Sequence, residues 1–438
     1  MKSSIRMLLV AVFISTGAYA TKVPIPIEGA SLNILVQVQA QALVNQASTP
    51  DGLNPSFDVF IRRTRIVAWG DISPNFDYLF HLDNANFGKY GNYGGRAIVQ
   101  DAWIGWSPTG FGGGTMIEID AGILLMPISR HMLQSTANFI TADAMIDAFR
   151  YPGNTNPAFR DTGVQIRGWA LDKKIGFRGG VFEGYQPIDV QGGVACVPGT
   201  ANTCTNPKRL PALRGFVNID LIGSEEGAPF ANGWLYGAYK WGKDPVLSVN
   251  AAGSYQSLSV RNGFGNLADA RLLSGGVYLN FPMTEQNELV YEGTVYLSGN
   301  GSSAANSGTG ISTALGYRFG FIAPYAGYDY FQSSNCDDPG LTGTGGTITQ
   351  AACDGANSRN LKAGLNFFFN KAFNHLMVEF QSNHGLSTLY GPSNVAAASG
   401  YVPLSLDPAT PGGPRRPFNA NLINPAFWSV LVHWNVVF

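Results

Sequence analysis

The sequence predicts an all-β fold, a transmembrane antiparallel β-barrel of about sixteen strands. Only 13% of the 438 residues are charged while 45% are hydrophobic, whereas soluble domains carry about 25% charged residues. Apolar and polar side chains alternate with a period of two in many segments of about ten residues, the length of a tilted strand that crosses a membrane. Tight turns alternate with long connections, which is the asymmetry of outer-membrane barrels.

The composition excludes several other classes of protein. A formal net charge of −1 argues against nucleic-acid binding, which requires an excess of basic residues. The hydrophobic content excludes a disordered chain, which combines low hydrophobicity with high net charge. No apolar run reaches the length of about 18 residues that identifies a membrane-spanning helix.

The first twenty residues form a predicted secretory signal peptide. Lys2 and Arg6 give a positive start, residues 7–14 form a short apolar core, and residues 18–20 (Ala-Tyr-Ala) match a cleavage pattern. We therefore expect cleavage after residue 20, and we expect residues 21–438 to form a single barrel domain.

Export places the chain in an oxidising space, where disulfides persist. The four cysteines form two local pairs, Cys196 with Cys204 and Cys336 with Cys353. We expect one loop-closing disulfide in each pair. Zinc binding is the alternative, but neither pair has CxxC-type spacing or a histidine nearby, so we expect no metal site.

The first eight predicted strands each present one apolar and one polar face. They cover residues 31–44, 57–70, 75–84, 96–107, 115–124, 161–170, 174–184 and 211–222. In the third strand, Phe76, Tyr78, Phe80 and Leu82 share one face and alternate with Asp77, Leu79, His81 and Asp83. Tight turns at residues 71–74 and 171–173 join neighbouring strands.

The last eight predicted strands repeat the pattern. They cover residues 246–257, 269–281, 288–298, 310–319, 321–331, 359–369, 374–384 and 426–438. Gly320 and residues 370–373 form tight turns. A soluble sandwich would also bury one face of each strand, but Trp and Tyr at strand ends and charges of both signs on the polar faces favour a barrel.

A seventeenth segment, residues 234–241 (WLYGAYKW), also has strand character. Bacterial single-chain barrels have an even number of strands. The long connections share one end of the barrel only if residues 223–245 form a single connection. We therefore place residues 234–241 outside the barrel wall.

The connection after the fifth strand, residues 125–160, is a candidate to fold into the pore and narrow it, because a sixteen-stranded barrel leaves a wide aqueous channel. Residues 137–150 within it could form a short helix. The predicted constriction residues are Arg130, His131, Asp143, Asp147, Arg150 and Arg160. The alternative is an extracellular loop that stays outside the lumen.

Charged side chains fall on the polar faces of the predicted strands, and we expect them to line the pore. An Arg or Lys facing lipid at mid-depth would cost about 2–4 kcal/mol. The predicted basic residues are Arg63, Arg65, Arg167, Arg178, Arg214, Arg318 and Lys362. The predicted acidic residues are Asp101, Glu118, Asp120, Glu288, Glu292 and Glu379. The alternative for each residue is an ion pair that stiffens the wall without a role in conduction.

The sequence contains no motif of a hydrolase, nucleotide-binding or metal-dependent enzyme. Its five histidines have no metal-ligand spacing. We therefore expect a protein that is not an enzyme and that needs no cofactor. Two alternatives stay open: an outer-membrane barrel enzyme of the lipase or protease type, whose catalytic residues need not be close in sequence, and a non-conducting barrel for adhesion or anchoring.

Several motifs resemble the phosphate-selective porin O and P family. They are FIRRTR (Phe60–Arg65), the Gly70-Asp71 turn, FDYLFHLD (Phe76–Asp83), DAGILLMPIS (Asp120–Ser129), RDTGVQIRG (Arg160–Gly168) and the terminal Phe438. The resemblance implies a sixteen-stranded trimeric porin with its third loop folded into the pore. Members that select phosphate carry a lysine cluster, but no lysine occurs here between Lys89 and Lys173, so phosphate selectivity is not carried over.

These observations together predict an outer-membrane porin for passive diffusion of small hydrophilic solutes. The expected partners are outer-membrane lipid, such solutes and two further copies of the chain. Inward arginines, namely Arg63, Arg65, Arg167, Arg178 and Arg214, motivate the hypothesis that the channel prefers anions.

Overall fold

The computed structural model describes residues 30–44, 56–88, 97–108, 116–145, 148, 159–185, 206–225, 235–242, 244–261, 266–301, 307–338, 342, 353, 357–385 and 426–437. The predicted signal peptide, Cys196, Cys204, Asp147 and Arg150 lie outside these residues. Within the described ranges, no helix is both long enough and apolar enough to span a membrane.

Sixteen antiparallel strands form one closed barrel, as the alternation predicts. The strands are β1 (Ala30–Val44), β2 (Ser56–Ser73), β3 (Phe76–Phe87), β4 (Ile98–Trp106), β5 (Met116–Leu125), β6 (Arg160–Ala170), β7 (Ile175–Phe182), β8 (Ala212–Ile222), β9 (Val246–Arg261), β10 (Leu267–Thr284), β11 (Asn287–Gly299), β12 (Gly308–Phe319), β13 (Ile322–Ser333), β14 (Ser358–Asn370), β15 (Asn374–Gly385) and β16 (Ala426–Val437). Each strand pairs with its neighbours in sequence, and β1 pairs with β16 to close the ring. Closure satisfies the strand edges, which a membrane cannot hydrate.

The two faces of the wall differ in chemistry as the sequence predicts. The outer face exposes large apolar side chains, among them Ile66, Phe80, Ile104, Val164, Leu213, Leu273, Leu297, Leu315 and Leu361. The inner face holds buried polar side chains, among them Gln37, Gln39, Gln41, Asn280, Asp329, Asn360, Gln381 and Asn435. An apolar outer band with a polar interior is the arrangement of a barrel that faces hydrocarbon.

The connections alternate between the two ends of the barrel because neighbouring strands are antiparallel. We call the end with the connections after odd-numbered strands the loop end, and the opposite end the turn end. Short connections join β2 to β3, β6 to β7, β10 to β11, β12 to β13 and β14 to β15 at the turn end. The β12–β13 turn uses Gly320 with φ of +61°, a backbone conformation that glycine adopts without a Cβ clash.

The connection between β8 and β9 is the long exception at the turn end. Its described part, residues 235–242, forms no wall strand, and its one β-bridge joins Tyr236 to Gln134. The placement of residues 234–241 outside the wall is therefore confirmed for residues 235–241.

The expected short helix over residues 137–150 does not form in its described part, residues 137–145 and 148. The backbone groups there bond to other partners. The Ala142 N–H donates to Glu379 on β15 at 2.9 Å, and the Met145 N–H donates to His131 Nε2 at 2.9 Å. A single 3₁₀ turn, His131–Leu133, is the helical element of this connection in the described residues.

The predicted disulfide between Cys336 and Cys353 is confirmed, with the two Cα atoms 5.6 Å apart. Both residues lie between β13 and β14, so the bond closes a connection at the loop end.

Candidate functional site

The barrel interior brings together most of the charged residues that the sequence places on polar faces. The two non-strand parts are called the β5–β6 segment (residues 126–145) and the β8–β9 segment (residues 235–242).

Two neighbouring arginines of β2 bind one carboxylate of the β5–β6 segment. Arg62 Nε donates to Asp143 Oδ2 at 2.8 Å, and Arg63 Nη2 donates to Asp143 Oδ1 at 2.9 Å. Burial by itself raises the pKa of Asp143, but the Arg62 and Arg63 guanidiniums outweigh it and hold this pKa well below its ordinary value. The carboxylate therefore stays ionised at neutral pH.

A second group of charges lies beside this pair on β2, β3, β4 and β6. Arg65 Nε donates to Asp83 at 3.1 Å, and Arg65 Nη1 donates to the Thr136 hydroxyl at 2.5 Å. Arg160, at the start of β6, makes two hydrogen bonds to Asp101 at 2.9 and 3.1 Å. These ion pairs connect β2 to β3 and β4 to β6, and the bond to Thr136 connects β2 to the β5–β6 segment.

A third group lies on β5, β6 and β7. Arg167 forms ion pairs with Glu118 and, at 3.0 Å, with Asp120. Arg178 on β7 stands directly opposite Arg167 in the strand register and is also buried. Arg214 on β8 donates to Asp161 at 2.5 Å.

The predicted residues of the far wall also face inward. Arg318 on β12 donates to Glu288 on β11 at 2.5 Å. Lys362 on β14 and Glu379 on β15 are both buried on the inner face. All of the predicted pore-lining residues are buried in the structure, and most of their charges are paired with one another.

Arg130 is the centre of the contacts between the two segments. Its Nε donates to Glu225 at 2.7 Å, its Nη1 to Glu292 on β11 at 3.1 Å, and its Nη2 to the Gly237 carbonyl at 3.0 Å. The guanidinium also lies 3.6 Å from the centre of the Tyr278 ring. Burial lowers the pKa of Arg130, but the two carboxylates outweigh it and raise this pKa above its ordinary value.

His131 follows Arg130 and binds the same carboxylate. Its Nδ1 lies 3.0 Å from Glu292 Oε1, while its Nε2 accepts the Met145 N–H. Because Nε2 is an acceptor, the ring proton is on Nδ1 and is donated to Glu292.

The two segments pair edge to edge. The Tyr236 N–H donates to the Leu133 carbonyl at 2.8 Å, and the Ser135 N–H donates to the Tyr236 carbonyl at 2.9 Å. The Asn138 side chain then bonds both backbone groups of Tyr239 at 3.0 Å. One segment belongs to a connection at the loop end and the other to a connection at the turn end.

The β5–β6 segment contacts opposite walls. Ser274 on β10 donates to the Ile128 carbonyl at 2.7 Å, whereas Asp143 binds the arginines of β2. Strands β2 and β10 are eight positions apart in a ring of sixteen, so the segment joins inward groups that face each other across the barrel.

Two cavities lined by described residues lie beside these segments. The larger lies between strands β1–β4 and the β5–β6 segment. The smaller is lined by β6, β7 and β8 with Glu225 and Tyr236. Leu235 of the β8–β9 segment lines both cavities, so this segment lies between them.

Three inward groups escaped the sequence analysis. Arg62 is the extra residue of a β-bulge, because Arg63 pairs with Gln37 while Ile61 pairs with Val38; strict alternation would place Arg62 outside. Glu225 lies in a connection, where no periodicity exists to locate it. Asp161, in contrast, lies on β6 among alternating residues, and its parity with Arg167 could have identified it.

The comparisons with known proteins support the fold. No protein-family model matches the chain, and no curated protein matches it. The structure of Salmonella typhi OmpF in complex with daunomycin has 12% sequence identity and a TM-score of 0.53, covering 95% of this chain and 100% of that one. The high-pH structure of Pseudomonas putida OprB has 9% identity and a TM-score of 0.53, covering 94% of each chain.

Both proteins are outer-membrane porins, and the chain has the same kind of sixteen-stranded barrel. At these identities the likeness shows the fold alone. The comparisons do not confirm the narrower resemblance to the phosphate-selective porin O and P family.

Proposed function

We propose that the chain forms a water-filled channel in a bacterial outer membrane, through which small hydrophilic solutes diffuse passively. One observation carries this proposal: a closed barrel exposes apolar side chains outside and holds charged and amide side chains inside. Such a wall is stable in hydrocarbon only if its interior is wet or filled by polar protein. The likeness to the OmpF and OprB barrels supports the same function.

Both inner segments narrow this channel in our proposal. The support is the set of contacts that the β5–β6 segment makes with β2 and with β10, together with its pairing to the β8–β9 segment. The free path then runs through the cavities along the wall. Asp147 and Arg150 remain predicted constriction residues.

The channel is proposed to prefer anions, but only mildly. Inward guanidiniums at Arg63, Arg65, Arg167, Arg178 and Arg214 support the preference. Their carboxylate partners, such as Asp143 and Asp120, offset much of the positive field. A small net effect is therefore expected.

Export and assembly complete the proposal. The predicted signal peptide would direct the chain across the inner membrane and be cleaved after residue 20, and the broad apolar outer face would contact lipid and two further copies in a homotrimer. N-terminal sequencing of the mature protein and its mass in detergent test these two points.

The decisive experiment is single-channel recording of the purified mature chain in a planar bilayer. Discrete conductance steps are expected. In a salt gradient, the reversal potential should have the sign that indicates a higher permeability for anions than for cations. Absence of steps would refute the channel, while cation preference would refute only the selectivity. The matched pair Arg214→Gln and Arg271→Gln removes one inward and one outward guanidinium, and we expect a shift in the first variant alone.

A further inference from the structure

The larger cavity has a property that a plain aqueous pore lacks: its lining is part apolar. Val67 and Trp69 on β2, Leu79 on β3 and Leu235 belong to one apolar cluster, and all four line the cavity. Inner faces of wide barrels are usually polar. Apolar side chains on consecutive inward positions of β2 therefore give this cavity an apolar wall.

A polar wall adjoins the apolar one. Arg65 is the inward residue next to Val67 on the same strand, about 6.6 Å away by the rise of a β-strand. Two residues of the neighbouring strands, His81 on β3 and Gln100 on β4, line the same cavity. The polar wall carries three guanidiniums (Arg63, Arg65 and Arg160) and one carboxylate (Asp101), and Arg65 is also paired with Asp83. It therefore offers hydrogen-bonding groups and more cations than anions, and the adjoining wall offers apolar surface.

Several of these polar groups have no protein partner. Within the described residues, Arg65 Nη2 makes no hydrogen bond, since the bonds of Arg65 involve Nε and Nη1. Both polar atoms of the Gln100 side chain and Nε2 of His81 are buried without a partner in the same part of the chain. Buried polar groups are normally satisfied by protein or by water, so these atoms can bind water or the polar group of a solute.

We propose that this cavity is a binding site for a small carboxylate with an apolar ring or a compact apolar body. The carboxylate accepts hydrogen bonds from Arg65 Nη2 and from the Gln100 amide, and the apolar body packs against Val67, Trp69 and Leu79. The inference rests on the proposed channel function in that it names a class of solute. Guanidinium groups suit planar carboxylates because they donate in a fork geometry.

The matching of the two walls sets the specificity. An anion without an apolar body, such as formate, can bind Arg65 but leaves the apolar side chains of the cavity exposed to water. A neutral ring such as benzyl alcohol covers the apolar wall but cannot replace the charge-assisted hydrogen bonds, which are about twice as strong as neutral ones. Both probes should bind at least tenfold more weakly than benzoate.

Equilibrium dialysis of radiolabelled benzoate against the detergent-solubilised mature chain tests the site without any need for conduction. Saturable binding is expected, with competition by cyclohexanecarboxylate. Formate and benzyl alcohol should compete at least tenfold less well. Equal competition by formate would show a plain anion site and overturn the proposal, and so would equal competition by benzyl alcohol.

Variants locate the binding. Arg65→Gln and Trp69→Ala should each weaken benzoate binding at least tenfold. Their matched controls, Arg271→Gln and Trp106→Ala, remove the same groups from the outer face, where Trp106 is 41% exposed and the Arg271 side chain 66% exposed. Neither control should change binding.

A second variant covers the case in which Arg65→Gln fails to fold, which a gel-mobility shift on heating would reveal. Gln100→Leu removes a side chain that has no hydrogen-bond partner among the described residues, so it leaves no protein group unsatisfied. Weaker benzoate binding is expected here too, and unchanged binding in Gln100→Leu would overturn the site. Conductance in plain salt is recorded separately, so a failed site and a failed channel give different results.

Discussion

Replacing Arg130 by methionine should release the two inner segments from each other. Methionine keeps an unbranched side chain but removes the guanidinium and its bonds to Glu225, Glu292 and the Gly237 carbonyl. Two buried carboxylates then lose a counter-charge in a site where Arg130 itself is fully buried. The docked arrangement is therefore destabilised both by the lost hydrogen bonds and by the two carboxylates that lose their counter-charge.

The magnitude follows from the burial of the pair. Breaking a buried ion pair by removing one partner costs about 3–5 kcal/mol. At about 1.4 kcal/mol per tenfold change, the equilibrium between docked and undocked segments shifts by roughly 100- to 3000-fold. The wall should remain closed, because its strand pairing does not involve Arg130.

Two assays measure this shift. Single-channel recording should show larger and more variable conductance steps in Arg130→Met than in the parent chain. Chymotrypsin should cut at Phe139, which is 6% exposed in the docked segment, much faster in the variant. Arg271→Met on the outer face is the matched control and should change neither result.

A triple variant sharpens the test. Adding Glu225→Gln and Glu292→Gln to Arg130→Met removes the uncompensated charges, so part of the docking should return. Parent-like conductance and parent-like cleavage in Arg130→Met would refute the reasoning, because they would show that the segments hold together without this residue.

Three further outcomes are expected. Asp143→Asn should also raise conductance and its noise in bilayer recordings, because Arg62 and Arg63 lose their shared carboxylate; unchanged traces would contradict this. The folded-state pKa of Asp143 lies below its ordinary value of about 4. The ion pairs of Asp143 therefore stabilise docking in full above about pH 4. This stabilisation is lost only as the pH falls through the lowered pKa. Conductance recorded from pH 7 down to about pH 4 should therefore show no transition from this group, and a transition near pH 5 that Asp143→Asn abolishes would contradict the assignment. Reduction of Cys336–Cys353, which closes a loop of sequence separation 17, should leave the heat-dependent gel mobility of the barrel intact, since the bond joins no wall strands; collapse of the folded band on reduction would disprove it.

The wall could be predicted because the membrane imposes one rule on every strand. Lipid outside and polar surroundings inside force alternation, so Arg63, Arg167 and Arg214 could be assigned inward from parity alone. Two further rules then excluded residues 234–241 from the wall. The number of strands should be even, and the long connections should lie at one end of the barrel.

The interior could not be predicted to the same depth. Parity fails at a β-bulge, and the one at Arg62 places two consecutive arginines on Asp143. Helical spacing in residues 137–145 was misleading, because the groups that decide their conformation, such as Glu379 on β15, are far away in sequence. Glu225 carries no local pattern, so its contact with Arg130 needed coordinates.

If both segments lie inside the barrel as we propose, their edge-to-edge pairing has a consequence for biogenesis. Residues 126–145 and 235–242 are both translated before β16, the strand that supplies the final seam with β1. Inserting either segment into a barrel that has already closed would move charged side chains from water into the barrel interior, and these side chains would lose their hydration. We therefore expect the two segments to dock first, and the β1–β16 pairing to close the barrel around them afterwards.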